Sequence, residues 1–242
     1  MRTGGWSSPC CRGRTRASAG VVNGIYHVVR TGARWRDLPK RHGPCTTVSN
    51  RFDLWSKRGV WQNVVEEPAR RAPQSMPLIE SSIIRGSPAR RRGQKAGSDH
   101  AIGHSRGGLT TRIHAVVDQD GPPVRLLLTA GQASDKTVAT LLLGALPPAQ
   151  VVADRGHDSM ALVGFITECG GEAHIPTQSR MRLQRCVGRD LYGKRNLVER
   201  VFCRLEQFRR TATCVDKHAD TFLAAVALAS TRIWIRTIES AP

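Results

Sequence analysis

The stretch Tyr192–Arg210, YGKRNLVERVFCRLEQFRR, has the pattern of one helix with two chemically different faces. Winding it at about 100° per residue places its apolar side chains in one stripe, formed by Leu197, Val198, Val201, Phe202, Leu205 and Phe208. The same winding gathers a polar sector on roughly the opposite side, formed by Tyr192, Arg195, Glu199, Glu206 and Arg210. We expect the stripe to be buried and Glu199 to stand among cations.

Two interpretations of the polar sector are open at this point. In the first, it is a solvated face whose glutamates and arginines form ordinary ion pairs at spacings of three and four residues. In the second, Glu199 belongs to a catalytic site, which requires another carboxylate at the end of a strand. Asp154 meets that requirement, because it directly follows the short apolar run Val151–Ala153.

A third carboxylate, Glu80, lies in the apolar run Pro77–Ile84, PLIESSII. Residues that follow a strand's carboxyl end lie at the rim of the sheet, where α/β folds bind their ligands. Charges there are unfavourable unless a metal or another cation offsets them. Three converging acids commonly hold two Mg²⁺ ions about 3.5 to 4 Å apart, one activating water and one stabilising the leaving oxygen of a phosphodiester. The candidate catalytic and metal-binding residues are therefore Glu80, Asp154 and Glu199.

The charge balance points to a polyanionic partner. The 242 residues contain 37 Lys and Arg against 19 Asp and Glu, a formal net charge of +18. Nucleic acid is the expected partner. A membrane surface fits less well, because the basic residues are spread over the whole length instead of lining one amphipathic helix.

Compartment and cysteine usage agree with an intracellular DNA-binding protein. No apolar run approaches the ~20 residues that cross a bilayer, and residues 1–20 lack the apolar middle of a signal peptide. The seven cysteines show no C-x-x-C spacing, which predicts reduced thiols and no structural zinc site. We expect a cytoplasmic protein.

Composition divides the chain into four segments. Residues 1–19 are rich in Gly, Arg and Ser without periodicity, which predicts a disordered basic leader. Residues 20–65 predict a small helical domain of helix-turn-helix type with an aromatic core, which either only packs or also docks on DNA through exposed residues such as Arg51. Residues 66–76 form a polar linker with two prolines, and residues 77–242 form the catalytic domain.

The catalytic domain has the pattern of a mixed sheet flanked by helices. Its expected elements follow in chain order. They are a strand at Pro77–Ile84, a hairpin of Thr111–Val117 and Val124–Thr129, a helix at Thr137–Leu146, a strand at Val151–Ala153, a helix that Ser159 caps and that runs through Ile166 to a stop at Gly170-Gly171, a strand at Ala173–Ile175, the helix of Tyr192–Arg210 and a final helix from about Ala219 to Trp234.

A long basic, glycine-rich stretch lies between the first strand and the hairpin. It runs from Arg85 to Gly108, has no hydrophobic pattern and contains Arg91, Arg92 and Arg106. Loops of this length are usually functional or disordered. Arg106 with its neighbouring glycines either approaches a phosphate or forms an ordinary turn, and the sequence favours neither.

Several blocks of this chain, in the right order, resemble the DDE transposases of bacterial insertion sequences, in the group named after insertion sequences four and five. The resemblance covers about Val21 to Arg236. ADRGHDS around Asp154 is similar to the family's second-aspartate motif, and the stretch from Tyr192 resembles its glutamate signature, Y-x2-R-x3-E-x6-K. The amino-terminal helical region and the central hairpin also resemble those of the family.

The resemblance implies a ribonuclease-H-like core, Mg²⁺- or Mn²⁺-dependent cutting and strand transfer at element ends, duplex DNA as partner, and work as an oligomer. By position, Glu80 takes the place of the first catalytic Asp, Asp154 that of the second and Glu199 that of the catalytic Glu. Tyr192 and Arg195 match the signature. With the basic side chains named above they make up the expected DNA contacts, Tyr192, Arg195, Arg106, Arg91, Arg92, Arg210 and Arg51.

Two positions depart from the family. Glu80 stands where the family has Asp, and its extra methylene moves the carboxylate outward by about an ångström, a displacement that can lower a rate by ~100-fold. Glu206 stands where the signature has Lys, so that an anion replaces a cation that could hold a phosphate. These departures leave a second function open, that of a non-catalytic DNA-binding remnant of a transposase; a plain basic nuclease is a third.

Two residues near Asp154 have modest expected roles. His157 is interpreted as a packing residue or phosphate contact in preference to a general acid. Asp158 is interpreted as a turn and helix-cap residue in preference to a metal ligand.

Overall fold

The computed structural model describes residues 15–71, 76–87, 101–105, 108–119, 121–144, 149–179, 181–182 and 184–240. The helices in these ranges are α1 (Thr15–Thr31), α2 (Cys45–Lys57), α3 (Val60–Arg71), α4 (Asp135–Leu143), α5 (Met160–Glu168), α6 (Arg189–Gly193), α7 (Asn196–Glu206), α8 (Arg209–Ala212) and α9 (Ala219–Glu239). The expected DNA contacts Arg91, Arg92 and Arg106 lie outside the described residues, as do residues 1–14.

Six strands form one mixed sheet. They are β1 (Leu78–Arg85), β2 (Gly103–Ser105), β3 (Gly108–Val117), β4 (Pro123–Ala130), β5 (Gln150–Ala153) and β6 (Glu172–His174). β1, β3 and β4 pair antiparallel in the order β4-β3-β1, and β5 and β6 continue the sheet parallel to β1. The ribonuclease-H-like mixed sheet expected from the sequence is confirmed, and β2 is a short additional strand on β3 that the sequence did not indicate.

Alternate residues of β1 reach two separate hydrophobic clusters, one on each face of the sheet. Leu78 packs with buried residues of α1, α2, α7 and α9, whereas its neighbour Ile79 packs with those of α4 and α5. A shift of β1 by one residue would exchange the two faces. The packing therefore fixes the register of β1, and with it the position of Glu80.

The amino-terminal helices form the expected aromatic core but do not form a separate one. The rings of Trp35 and Phe52 lie 5.6 Å apart, and those of Trp55 and Trp61 lie 5.8 Å apart. The same cluster continues through α9 to the sheet. Helices α1 to α3 and the sheet thus share one hydrophobic core.

Two segment boundaries differ from those expected. Helix α1 begins at Thr15, so the disorder predicted for residues 15–19 is wrong; these residues extend the amphipathic helix that the sequence placed from Val21. Helix α3 continues to Arg71, so the linker predicted at 66–76 is wrong for residues 66–71. In both places the composition is polar, and composition alone does not separate a helical turn from a loop.

Helix α9 is long and apolar enough to cross a membrane by length and composition, with a mean hydropathy of 1.2 over its most apolar window. Half of that window is buried inside the protein. Its buried side chains, among them Phe222, Val226 and Ile233, belong to the main hydrophobic cluster. We therefore describe α9 as a core helix. The sequence-based statement that no apolar run approaches the length of a membrane span was too strict.

A buried polar cluster joins β1, β3 and α4. The Ser81 hydroxyl donates to Asp135 Oδ1 at 2.7 Å, and the Arg112 guanidinium lies 2.6 Å from Asp135 Oδ2. His114 is fully buried, with Nε2 2.8 Å from Thr129 Oγ1 and Nδ1 3.6 Å from Asp135 Oδ1. Burial, with the nearby positive charge of Arg112, lowers the pKa of His114 from 6.5 to about 4. The folded protein therefore holds a neutral imidazole at this point.

This lowered pKa predicts that His114 makes stability depend on pH. Between pH 6.5 and 4 the unfolded chain binds a proton that the folded chain does not, so stability falls as the pH falls through this window. From pH 7 to pH 5 wild type should lose about 2 kcal/mol more free energy of unfolding than His114→Gln. Urea unfolding at both pH values measures the difference. Equal losses in the two proteins would show that His114 does not titrate in this way.

Candidate active site

Two of the predicted carboxylates are neighbours across the pair of parallel strands β1 and β5. Leu78 pairs with Val152 and Ile79 with Ala153, and the same register continued by one residue places Glu80 beside Asp154. Adjacent strands lie about 4.8 Å apart. The sequence placed Glu80 in one strand and Asp154 after another, and the structure pairs these two strands.

The backbone after β5 is shaped around the Asp154 carboxylate. Asp154 precedes a 3₁₀ helix, Arg155–His157, and its Oδ1 accepts hydrogen bonds from the His157 backbone N–H at 3.3 Å and from the His157 ring Nδ1 at 2.6 Å. A Cβ on Gly156 would lie 3.1 Å from Asp154 Oδ1. Because glycine has no Cβ, the residue at position 156 does not crowd the Asp154 carboxylate.

The two carboxylates have opposite pKa shifts. Burial raises the pKa of Glu80, and the negative charge of Asp154 raises it further. Burial also raises the pKa of Asp154, but the hydrogen bonds and charge of His157, together with Arg195, outweigh it and leave the pKa below its ordinary value. The surroundings therefore favour the charged form of Asp154 and disfavour the charged form of Glu80.

Arg195 connects Glu80 to Glu199. Its Nη1 lies 2.7 Å from Glu80 Oε2 and its Nη2 lies 2.6 Å from Glu199 Oε1. Burial lowers the pKa of Arg195, but the charges of Glu80, Glu199 and Asp154 outweigh it, so the net shift is upward. The guanidinium also lies over the Tyr192 ring, with Cζ 5.6 Å from the ring centroid. One arginine thus offsets the charges of all three predicted catalytic acids.

The donor set fits a divalent ion in part. Carboxylate oxygens are the ligands that Mg²⁺ and Mn²⁺ prefer, and the repulsion that raises the pKa of Glu80 marks a place where a cation would be stabilised between Glu80 and Asp154. Among the residues that the structure describes, however, no three of His, Cys, Asp and Glu are grouped to hold one ion. Glu199, whose side chain is 52% exposed, is directed to Arg195 instead.

His157 is placed as a residue that positions Asp154. Its side chain is only 1% exposed, and Nε2 is buried without a hydrogen-bond partner in the described part of the chain. Of the expected roles, packing is therefore the one that the position supports. Asp158 pairs with Arg185 and accepts a hydrogen bond from the Gln178 backbone N–H at 2.9 Å, so it connects the strand end to the loop after β6.

The stretch Tyr192–Arg210 is three short helices, and the single helix expected from its periodicity is wrong. Helix α6 ends at Gly193, α7 covers Asn196–Glu206, and Phe208 has extended backbone before α8. The Phe208 ring packs edge-on against Tyr26 of α1, with centroids 5.9 Å apart. This tertiary contact interrupts the helix where the local pattern alone would continue it.

The break places Arg210 away from the polar face. Its side chain is only 9% exposed, it forms a buried ion pair with Asp216, and its Cζ lies 5.1 Å from the centroid of the Trp35 ring. The expectation that Arg210 contacts DNA is therefore contradicted. Glu206 remains exposed at the end of α7, and Arg51 is exposed with its Cζ 6.0 Å from the Trp55 ring centroid.

The polar cluster around Asp135 adjoins this site and was not found from the sequence. Ser81, which donates to Asp135, directly follows Glu80, and the charge of His157 contributes to the lowered pKa of His114. The sequence signal for this cluster was the pair Ser134-Asp135 at the start of a helix. Ser and Asp are common at the start of any helix, so the pair did not indicate a cluster. Its partners are distant in sequence, so no local spacing showed the cluster.

Two family models match this chain. The model described as "Transposase DDE domain" matches residues 77–234, more than half of the chain, and the model described as "Putative transposase of IS4/5 family" matches residues 3–65.

Relatives with the same description are similar over part of the chain. The "Putative transposase for insertion sequence element IS6501" of Brucella ovis is 33% identical over 130 residues, which cover 53% of this chain and 100% of the relative. The "Putative transposase for insertion sequence element IS402" of Burkholderia cepacia is 29% identical over 143 residues, covering 54% of this chain and 65% of the relative. Among solved structures, a Mos1 transposase paired-end complex aligns with 99% of this chain and 82% of its own at 12% identity, with a TM-score of 0.28 that carries no argument.

The burial of Arg210 predicts a large effect on stability. Arg210→Met leaves Asp216 as a buried charge without its partner, which should lower the free energy of unfolding by about 3–5 kcal/mol. Arg209→Met, at the exposed neighbouring position, is the matched control and should change it by less than about 0.5 kcal/mol. Urea unfolding of the two variants makes the comparison. An Arg210→Met protein of wild-type stability that binds DNA more weakly would return Arg210 to the DNA-facing surface.

Proposed function

Because this chain belongs to the family of DDE transposases, we propose that it cuts DNA strands at the ends of an insertion sequence and transfers them to a new site. The observation that carries this proposal is the grouping of Glu80, Asp154 and Glu199 around one guanidinium. Two of these acids come from neighbouring parallel strands and the third from α7. Acids held in this way at the carboxyl end of a strand suit metal-assisted phosphodiester chemistry.

DDE transposase domains generally use divalent metal ions, and the finer proposal is that Glu80, Asp154 and Glu199 together hold two Mg²⁺ or Mn²⁺ ions. When bound, such ions supply an activated oxygen nucleophile and stabilise the charge of the leaving oxygen. Glu199 takes part only after it leaves Arg195, because its carboxylate is engaged there by a contact of 2.6 Å.

Two tasks in this proposal belong to side chains around the three acids. His157 holds the Asp154 carboxylate in one orientation through a hydrogen bond of 2.6 Å. Arg195, once released, is placed with Tyr192 to bind a phosphate oxygen of the scissile strand. Water attacks the phosphorus, the P–O3′ bond breaks and the 3′ oxygen takes a proton. The 3′ hydroxyl then attacks a phosphorus of the target strand and displaces its 3′ oxygen.

The remaining parts of the proposal concern partners and place of action. Arg51 on the exposed side of α2 and Arg91, Arg92 and Arg106 in the basic stretch are proposed to contact the phosphates of duplex DNA. The active form is proposed to be a homo-oligomer that holds the terminal inverted repeats and the target. It would act in the bacterial cytoplasm, on the nucleoid.

One observation favours a second candidate function. Arg195 offsets the charges of Glu80 and Glu199. Among the described residues, no three of His, Cys, Asp and Glu are grouped so that they could hold one ion. Glu80 also has one methylene more than the Asp that the family uses at this position. A protein in this state would bind DNA ends without cutting them, as a remnant of a transposase.

The variant Glu80→Asp separates the two functions. The shorter carboxylate stays beside Asp154 but cannot keep its 2.7 Å contact with Arg195, so that it becomes available to a metal. We expect Mg²⁺-dependent nicking of a labelled duplex carrying the element's terminal repeat to rise by about 10- to 100-fold at equal DNA affinity.

Two further substitutions serve as controls in the Glu80→Asp background. Asp154→Asn and Glu199→Gln should each abolish the gain, because each removes a proposed metal ligand. If Glu80→Asp binds the duplex but nicks no faster than wild type, the non-catalytic function is the better one. If Glu199→Gln keeps the gain, Glu199 is not part of the site.

The position of Arg195 makes a prediction about metal binding that does not depend on cleavage. Arg195→Gln removes a positive charge roughly 5 Å from the proposed ions, which is worth about 1–2 kcal/mol even at the dielectric constant of water. Mn²⁺ affinity, measured by electron paramagnetic resonance, should therefore rise by about tenfold. Arg189→Gln, at an exposed position on α6, is the control for a general loss of charge. Weaker or unchanged Mn²⁺ binding by Arg195→Gln would mean that Arg195 does not compete with the ions.

A further inference from the structure

A cavity of about 390 Å³ lies outside the carboxylate site, between α7, the last turn of α9 and the turn that joins β3 to β4. Arg200 and Arg204 of α7 and Arg236 of α9 line it, and all three are exposed to solvent. Gly121 brings the β3–β4 turn to the cavity with a φ of 95°, a conformation that other residues rarely adopt. Three guanidinium groups therefore face one small space.

These arginines differ from the arginines of the core and of the active site. In the described part of the chain, no carboxylate lies within ion-pair distance of any of the three, and the side-chain bond that Arg200 makes is to Asn196 Oδ1 at 3.1 Å. Elsewhere in the described residues five arginines each pair with a carboxylate; they are Arg112, Arg185, Arg195, Arg210 and Arg232. Like charges that converge without a counterion repel each other, so the cavity is electrostatically suited to an anion.

The cavity and the carboxylate site lie on opposite flanks of α7. Leu197, Arg200 and Arg204 follow each other at helical spacings of three and four, which places them in one stripe. Glu199 lies about 130° away from the centre of that stripe around the helix axis, on the flank where Arg195 joins it to Glu80. The buried face of α7 lies between the two on one side of the helix. An anion in the cavity is thus bound apart from the acids.

We propose that this cavity binds a phosphate of duplex DNA at a place other than the cleavage site. The guanidinium fork matches phosphate oxygens in geometry, and an arginine does not lose its charge at physiological pH. The described lining residues include no carboxylate, so the role proposed for the cavity is to hold a phosphate and not to cut the strand. That the ligand is DNA rests on the proposed function. That the bound group is a phosphate rests on the three arginines.

The experiment measures binding in EDTA, so that its result does not depend on whether the chain cuts DNA. The triple variant Arg200→Gln, Arg204→Gln, Arg236→Gln is compared with wild type for affinity to a duplex at several salt concentrations. Each lost phosphate contact should lower the slope of log affinity against log salt by about 0.9. We expect a slope lower by about 1–2 and at least a tenfold loss of affinity at low salt.

Two controls make the test specific. Arg36→Gln removes one positive charge at an exposed position in the 3₁₀ helix Trp35–Asp37, outside the cavity. Its slope should stay within experimental error of that of wild type. Arg204→Lys keeps the charge and should keep the wild-type slope, whereas Arg204→Gln should lower it; a larger effect of Gln than of Lys identifies the charge as the cause. Thermal unfolding of the triple variant should match wild type, because the three side chains are exposed.

Titration with inorganic phosphate distinguishes the two sources of a phosphate group. Wild-type affinity and slope in the triple variant would overturn the proposal, and so would an equal loss in Arg36→Gln. A loss of inorganic phosphate binding with unchanged DNA binding would overturn DNA as the ligand. A lower slope in the triple variant supports the site even if nicking is never observed, so failure of the cleavage proposal is recognised separately.

Discussion

The contact of Arg195 with both Glu80 and Glu199 is the interaction on which the arrangement of the candidate active site depends. Two carboxylates at neighbouring strand positions roughly 5 Å apart repel by about 3 kcal/mol at an effective dielectric constant of 20. A third acid on α7 adds to that repulsion. The guanidinium offsets this repulsion. The same attraction raises the pKa of Arg195, because the nearby acids favour its charged form. The described structure therefore assembles its acids around a cation of its own.

The hydrophobic core brings these groups together before electrostatics acts on them. Leu78 and Ile79 pack on opposite faces of the sheet, which fixes the register of β1 and leaves Glu80 beside Asp154. Val198, Val201 and Leu205 are buried and hold α7 against the same sheet. Burial of such side chains is worth about 1.5–3 kcal/mol each. That energy offsets the cost of placing three acids and an arginine at a partly buried edge.

The sequence predicts the strands well because their signals are local. The turn residues after β3 and the short apolar run before Asp154 indicate the hairpin and the strand end, whereas the neighbouring positions of Glu80 and Asp154 follow from the pairing of β1 with β5, which is not a local signal. The periodicity of Tyr192–Arg210 correctly identifies the buried face of α7 but cannot show that Phe208 packs on Tyr26. Contacts between residues far apart in sequence decide where that helix breaks. For the same reason the sequence placed Arg210 incorrectly and did not indicate the Asp135 cluster.

In the proposed function, the distribution of charge would couple the binding of metal to the binding of DNA. Arg195 holds Glu80 and Glu199 by contacts under 3 Å from its two terminal nitrogens, so a phosphate that binds the guanidinium competes with both acids for its charge. A divalent cation at the acids offsets the charge that holds Arg195, and a DNA phosphate offers the guanidinium another anion. Each ligand therefore lowers the cost of admitting the other, which is a positive coupling between them. An acid of Asp length at position 80, which cannot keep this contact with Arg195, would weaken the coupling from the side of the protein.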